Sequence, residues 1–196
     1  MPSPDQFVYQ PEANTSVVVP TTAINVTGSL ANWANPSNAL AAGTGAGSTI
    51  TADGVGVTGI LQCAPAPAGT YALINDAADI TKFVIVEQSS TVRLGTYYPD
   101  LRYCLMNGGV KVGTQNGSAG NGEGGFTTHT NTISKATFFP AGITGAQLKN
   151  GSYGPGFYID NNDTGEWGNL AVRSVTMQVF YQNPIPDDGG ALLCEA

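Results

Sequence analysis

Residues 170–182, LAVRSVTMQVFYQ, read as one long strand: Val175, Met177, Val179 and Tyr181 alternate with Ser174, Thr176, Gln178 and Phe180. A period of two puts the first four side chains on one face and the second, mostly polar, four on the other. That is the pattern of a strand lying between a core and water. A closing strand of this length is expected mid-sheet, with a partner on each side.

Upstream, the same character recurs in shorter, turn-bounded segments: VGVTGIL (55–61), ITKFVIVEQ (80–88), TVRLG (91–95), YCLM (103–106), VKV (110–112), ISKATFF (133–139) and GFYID (156–160). The β-branched density of 80–88 and 91–95 predicts two central strands. Asn107-Gly108-Gly109, between 103–106 and 110–112, is a hairpin-turn signal. The first strand candidate is TSVVVPTTAINV (15–26). Pro20 inside it predicts an edge strand or a bend, because proline cannot donate to a ladder. The stretch 113–125, GTQNGSAGNGEGG, offers no core-forming side chain and predicts a long exposed loop.

Composition agrees. Only 11% of the 196 residues are charged while 26 are glycine, so the charged helix-formers are scarce. The fold class is all-β: an antiparallel β-sandwich with long loops and extended N- and C-terminal arms. Residues 1–15 read as an extended arm, 16–182 as a single sandwich domain, and 183–196 as a tail with two prolines and an acidic pair. A body of this size buries about 70% of the surface of its unfolded chain.

A net charge of −7, with seven cations scattered from Lys82 to Arg173, argues against a nucleic-acid partner. No apolar run approaches the roughly 18 residues of a membrane helix. The opening MPSPDQFVYQPEANTS has neither a basic nor an apolar leader region and does not read as a secretory signal. Cys63, Cys104 and Cys194 lack metal-ligand spacing and read as unpaired thiols in a reducing compartment.

Candidate chemistry is sparse. His129, the only histidine, sits in polar TTHTNT and reads as a surface residue rather than a triad base. No cysteine has a neighbouring cation or helix start that would lower its pKa. In YIDNNDTGEWG, Asp160, Asp163 and Glu166 form the densest carboxylate group, which a glycosidase would place across a cleft. Asp160, Asn162 and Thr164 resemble the first half of a calcium loop, but position 171 is alanine where the closing glutamate belongs. Turn chemistry of Asn, Asp and Gly accounts for the same residues and is the preferred reading. Tyr97, Tyr98 and Trp167 are the candidate binding aromatics, suited to stacking on a sugar or to edge packing. No cofactor is expected.

The stretch 29–51, SLANWANPSNALAAGTGAGSTIT, carries a resemblance. Trp33-x-Asn35-Pro36-x-Asn38-Ala39, followed by a small-residue loop and a strand, resembles the opening of a β-sandwich domain found in virion proteins of tailed bacteriophages, among them tail fibres, baseplate proteins and head or tail accessory proteins. GFYID (156–160) and VRSVTMQVFYQ (172–182) resemble its closing strand pair. The usual Asp-Gly turn after Ala39 is replaced here by LAAGTGAG. In this chain Asn35-Pro36 is expected to keep the backbone non-helical, Trp33 to plug a corner of the core, and the glycines to let the chain cross the sandwich end. The resemblance implies a jelly-roll-like fold and a non-enzymatic virion structural role, such as head decoration or head–tail accessory protein. It further implies assembly in the host cytoplasm and homo-oligomers that meet capsid or tail subunits through the arms. A receptor-binding module for host glycan is the alternative.

Overall fold

The structure, a computed structural model, describes residues 9–26, 28, 30–43, 45–95, 98–119, 124–161 and 168–185. Among these, the strands in chain order are β1 (Ala13–Asn14), β2 (Ala23–Val26), β3 (Ser48–Ala52), β4 (Gly56–Val57), β5 (Ile60–Cys63), β6 (Asp79–Arg93), β7 (Leu101–Asn107), β8 (Val110–Ser118), β9 (Thr127–Ser134), β10 (Tyr153–Asn161) and β11 (Gly168–Gln182). Two short helices, α1 (Lys135–Phe138) and α2 (Gly145–Asn150), lie between β9 and β10.

The expected antiparallel sandwich forms. One sheet runs β3-β11-β6-β9, with β1 added beside β11; the other runs β2-β5-β10-β7-β8, with β4 on β10. Counting β3, β5 and then β6 to β11 as first to eighth, the two sheets read 1-8-3-6 and 2-7-4-5. This is the jelly-roll order, two Greek keys wrapped into a sandwich.

β11 lies mid-sheet, with β6 along one edge and β3, then β1, along the other. Val175, Met177, Val179 and Tyr181 are buried, and so are Leu170 and Val172 upstream. The inward positions therefore change from even to odd numbers. The change falls at Ser174, with φ 55° and a register shift between Arg173 and Thr176. A bulge there adds a residue, so both halves keep their apolar side inward.

Several sequence expectations are corrected. Segments 80–88 and 91–95 form one strand, β6, because Gln88, Ser89 and Ser90 continue the ladder opposite Arg173, Val172 and Ala171. Segment 55–61 splits into β4 and β5, where the Thr58 hydroxyl accepts from the Ile159 N–H in place of a backbone group. The expected loop 113–125 is strand as far as Ser118. Gly117 pairs with Tyr103, and a Cβ at 117 would lie 1.9 Å from the Tyr103 ring. That pairing is made by backbone, with no apolar side chain to betray it.

Segment 133–139 is strand only to Ser134, after which α1 turns Phe138 and Phe139 into the open side of the sandwich. Phe138 stacks on Tyr103 and Phe139 meets Phe83 edge-on, with centroids 5.7 and 5.8 Å apart. Helix α2 was not anticipated, although its capping box is legible: Thr144 and Gln147 satisfy each other's backbone N–H groups.

The Asn107 turn is a hairpin as expected. Gly108 and Gly109 both take positive φ, 56° and 86°, between the paired Asn107 and Val110, as a two-residue turn of matching twist requires. Pro20 marks a bend between sheets. Val18 bridges Met177 in the first sheet, and the Thr21 N–H reaches the Pro65 carbonyl, two residues past the end of β5 in the second.

The corner at 33–39 closes one open side. Trp33 is buried as expected; its indole N–H donates to the Gly59 carbonyl at 2.9 Å and its backbone N–H to Asn25 Oδ1 at 3.0 Å. Asn35 is left-handed, with φ 49°, but Pro36 opens a 3-10 turn through Leu40, so the non-helical expectation holds for one residue only. Proline suits the first position of a helical turn, where no N–H is needed. Asn38 Nδ2 donates to the Gly47 carbonyl at 3.3 Å, and Ala39 is buried.

The small-residue loop then lies over the β11 bulge. Gly43 N–H donates to Ser174 Oγ at 2.8 Å, and Arg173 Nη1 donates to the Gly45 carbonyl at 2.8 Å. Gly47 has φ 74°, and a Cβ there would sit 2.7 Å from the Val172 carbonyl oxygen.

Candidate functional site at the terminal edge

Residues 9–18 lie along β11, starting beside Asn183 and Pro184. Tyr9 bridges Pro184, and the Gln10 N–H donates to the Asn183 carbonyl at 2.8 Å. Further along, the Thr15 N–H donates to the Val179 carbonyl at 2.9 Å, while Thr15 Oγ1 accepts the Val179 N–H at 3.1 Å. Gln178 Nε2 donates both to Asn14 Oδ1 at 3.0 Å and to the Thr15 carbonyl at 2.7 Å.

Glu12 is held by Lys82 at 2.7 Å and Thr81 at 2.5 Å, and these hydrogen bonds keep its carboxyl below the usual range. Both ion-pair partners are about a third exposed, so the bridge fixes position more than it stabilises. The two ends of the described chain thus meet at one corner of the sandwich. Exposed Val17 and Val19 precede the Pro20 crossing, and exposed Ile24 follows it.

A second feature is internal. On the inward face of β6 the apolar series Phe83, Ile85 gives way to Glu87, Ser89 and Thr91, all buried. Asn131 on β9 adds its amide, Nδ2 donating to Glu87 Oε1 at 3.5 Å, and His129 is the residue paired with Glu87 across the ladder. Burial pushes the Glu87 carboxyl up to about 8, against the hydrogen bonds from Asn131 and Ser89. The carboxyl is therefore neutral at pH 7. Burial also lowers the His129 imidazole, which stays neutral.

Glu87 Oε2, His129 Nε2 and Thr91 Oγ1 are buried without a hydrogen-bond partner. An ordered water is the usual answer to such atoms. His129, expected at the surface, is thus only partly exposed, with Nε2 inside. Glu87 escaped the sequence reading because Val84 and Val86 make the opposite face of the strand look equally apolar.

Among the sites expected from sequence, Tyr97, Asn162, Asp163, Thr164, Glu166 and Trp167 lie outside the described residues. Tyr98 is described and partly buried, with the Arg93 guanidinium 5.1 Å from its ring centroid. Asp160 is the described member of the calcium candidate; it stands in β10, with its N–H bonded to the Asp100 carbonyl at 3.2 Å. No group of three metal-ligating side chains occurs among the described residues.

Cys63 and Cys104 are free and buried; Cys63 is in the main core and Cys104 in a separate cluster with Met106 and Tyr158. Burial raises both thiols. Cys104 is pushed up to about 12 although Lys111, a cation that sequence spacing did not bring to it, acts in the other direction. Cys194 lies outside the described residues. Compared with known proteins, the chain matches no family model and no curated sequence.

Proposed function

We propose that this chain is a non-enzymatic structural protein of a tailed-bacteriophage virion, attached in many copies as a head decoration or head–tail accessory protein. The observation that carries the reading is the terminal edge. Residues 9 and 184 are paired at one corner, so the sequence beyond them, 1–8 and 186–196, continues from neighbouring points beside exposed Tyr9 and Ile185. Two arms that leave together suit attachment to one neighbouring subunit, with the jelly roll displayed outward.

The corner residues add support. Trp33, Asn35, Pro36, Asn38 and Ala39 are all used in closing the sandwich, as a structural motif of phage virion domains requires. The jelly roll itself recurs in viral capsid and lectin domains, and a fold alone does not decide between such jobs. The test is uptake of the purified protein by particles lacking it, run beside host surface polysaccharide. Saturable uptake by the particle, lost on removal of residues 1–8 or 186–196, is the expected result. Polysaccharide binding without uptake would overturn the reading and make the chain an adhesion module.

A further inference from the structure

We propose that the open edge of β9 pairs with the same edge of a second copy, antiparallel about a two-fold axis at Thr130, so that one sheet runs through both molecules. β9 ends the path β1-β11-β6-β9. Its residues, TTHTNTIS, hold an unbroken register on β6 from Ser134 opposite Lys82 to Thr127 opposite Ser89. In an antiparallel ladder the N–H and C=O of one residue point the same way. Just before β9, the Gly124 N–H donates to the Thr91 carbonyl. The odd-numbered residues of β6 therefore turn their backbone groups toward β9 and bond to its odd-numbered residues, which leaves Thr128, Thr130 and Thr132 facing away from the sheet. All three are exposed. Among the described residues, the Tyr103 hydroxyl alone meets one of these outward backbone groups, the Thr132 carbonyl, at 3.5 Å. That oxygen keeps a second lone pair to offer.

Each of the other sheet edges is blunted. Ala34 exchanges backbone bonds with Thr49 of β3 at 2.7 and 3.2 Å. β1 is two residues long and follows Pro11 and Glu12. β2 packs against the corner at 33–40, where Asn25 holds the Trp33 N–H. β8 is bulged against β7 and carries Lys111 over its own Thr114 carbonyl. At Gly113 it meets α1 so closely that a Cβ would sit 2.1 Å from the Phe138 carbonyl oxygen. Short strands, prolines, charges, bulges and covering segments are how sheets avoid pairing with other chains. β9 has none of them: it contains no proline, Asp, Glu, Lys or Arg.

What the edge offers decides its occupant. A row of outward backbone groups takes an extended strand and selects it by the side chains that then meet. β9 meets itself well. Turned about Thr130, Thr128 stands opposite Thr132 of the second copy and Thr130 opposite its own equivalent, so threonine pairs with threonine along the whole outer face. On the inner face His129 stands opposite Asn131. No like charges meet, although each chain carries a net −7. The chain's own ends are poorer strands for this ladder: 1–8 contains Pro2, Pro4 and Asp5, and 186–196 contains Pro186, Asp187 and Asp188. An isologous pair of edges is also the commonest closed symmetry.

Sedimentation velocity of the full chain over a rising concentration series is expected to show monomer passing to dimer. Amide exchange at Thr128, Thr130 and Thr132 should slow only where the dimer is populated. Thr130→Lys sets two cations together at the axis and should weaken association about tenfold or more. Thr130→Glu should do the same with two anions. An equimolar mixture of these variants should associate again, because a two-fold at Thr130 sets Lys against Glu. Each dilute variant should keep the parent's melting temperature, since the side chain at 130 is exposed. A parent that stays monomeric, variants that associate as the parent does, or a mixture that does not recover overturns the proposal. So does slow exchange at the three threonines in the monomer, which would mean that the chain covers its own edge. No step uses particles, so the outcome leaves the virion reading to its own test.

Discussion

Replacing Glu87 by glutamine isolates the cost of a buried carboxyl. In the native chain burial raises this group from the ordinary 4.5 to about 8, while the unfolded chain keeps it near 4.5. The folded state therefore holds the proton more tightly, and stability falls as pH rises between those values. Below about 4.5 the contribution is fully present; above about 8 it is fully lost. At about 1.4 kcal/mol for each tenfold change in proton affinity, the loss across this window is ~5 kcal/mol. That is a large part of the roughly 5–15 kcal/mol that holds a domain folded.

Glu87→Gln keeps an oxygen for Asn131 and Ser89 but does not titrate. It places an amide where Oε2 has no partner, at a cost of about 1–3 kcal/mol at every pH. Urea unfolding at pH 5, 7 and 9 is the assay. The variant should be the less stable protein at pH 5 and the more stable at pH 9, with the difference changing by several kcal/mol. Curves that run parallel from pH 5 to 9 would refute the reasoning and mean that Glu87 reaches solvent or a cation in solution.

Further outcomes follow from the same structure. Trp33→Phe should cost about 1–3 kcal/mol in chemical denaturation, since the Gly59 carbonyl loses its buried donor. Gly47→Ala should destabilise more than Gly43→Ala. Both sites have positive φ, which costs an alanine about 1–2 kcal/mol, but only Gly47 also faces the Val172 carbonyl. Arg173→Ala should loosen the loop over β11, as its guanidinium holds Gly45 and Gln88 and lies 3.6 Å over the Phe126 ring. Faster amide exchange at Gly43, whose N–H bonds to Ser174 Oγ, would report that change. Deleting residues 1–8 should leave the melting transition unchanged. Deleting 1–14 should lower it, because β1 and the Glu12–Lys82 pair go with it.

The sequence by itself determined the class of fold and its central strand. Alternation in 175–181 can be satisfied only by a strand with one face in a core, and Asn107-Gly-Gly only by a tight reversal. Trp33 was legible as a plug because an indole among small residues has little else to do. These are local facts of backbone geometry and side-chain size.

Tertiary structure alone decided the rest. Strand β8 beyond Val112 exists because β7 offers it a backbone ladder, which no side chain of Gly113–Ser118 advertises. The bulge at Ser174 exists because the apolar series of β11 changes phase, and only the partner β6 shows where the extra residue sits. Glu87 lies inside because the second sheet covers that face of β6 rather than the face carrying Val84 and Val86. The strand pattern is nearly the same on both faces. Which one is buried, and so which carboxyl is neutral, depends on what packs against it.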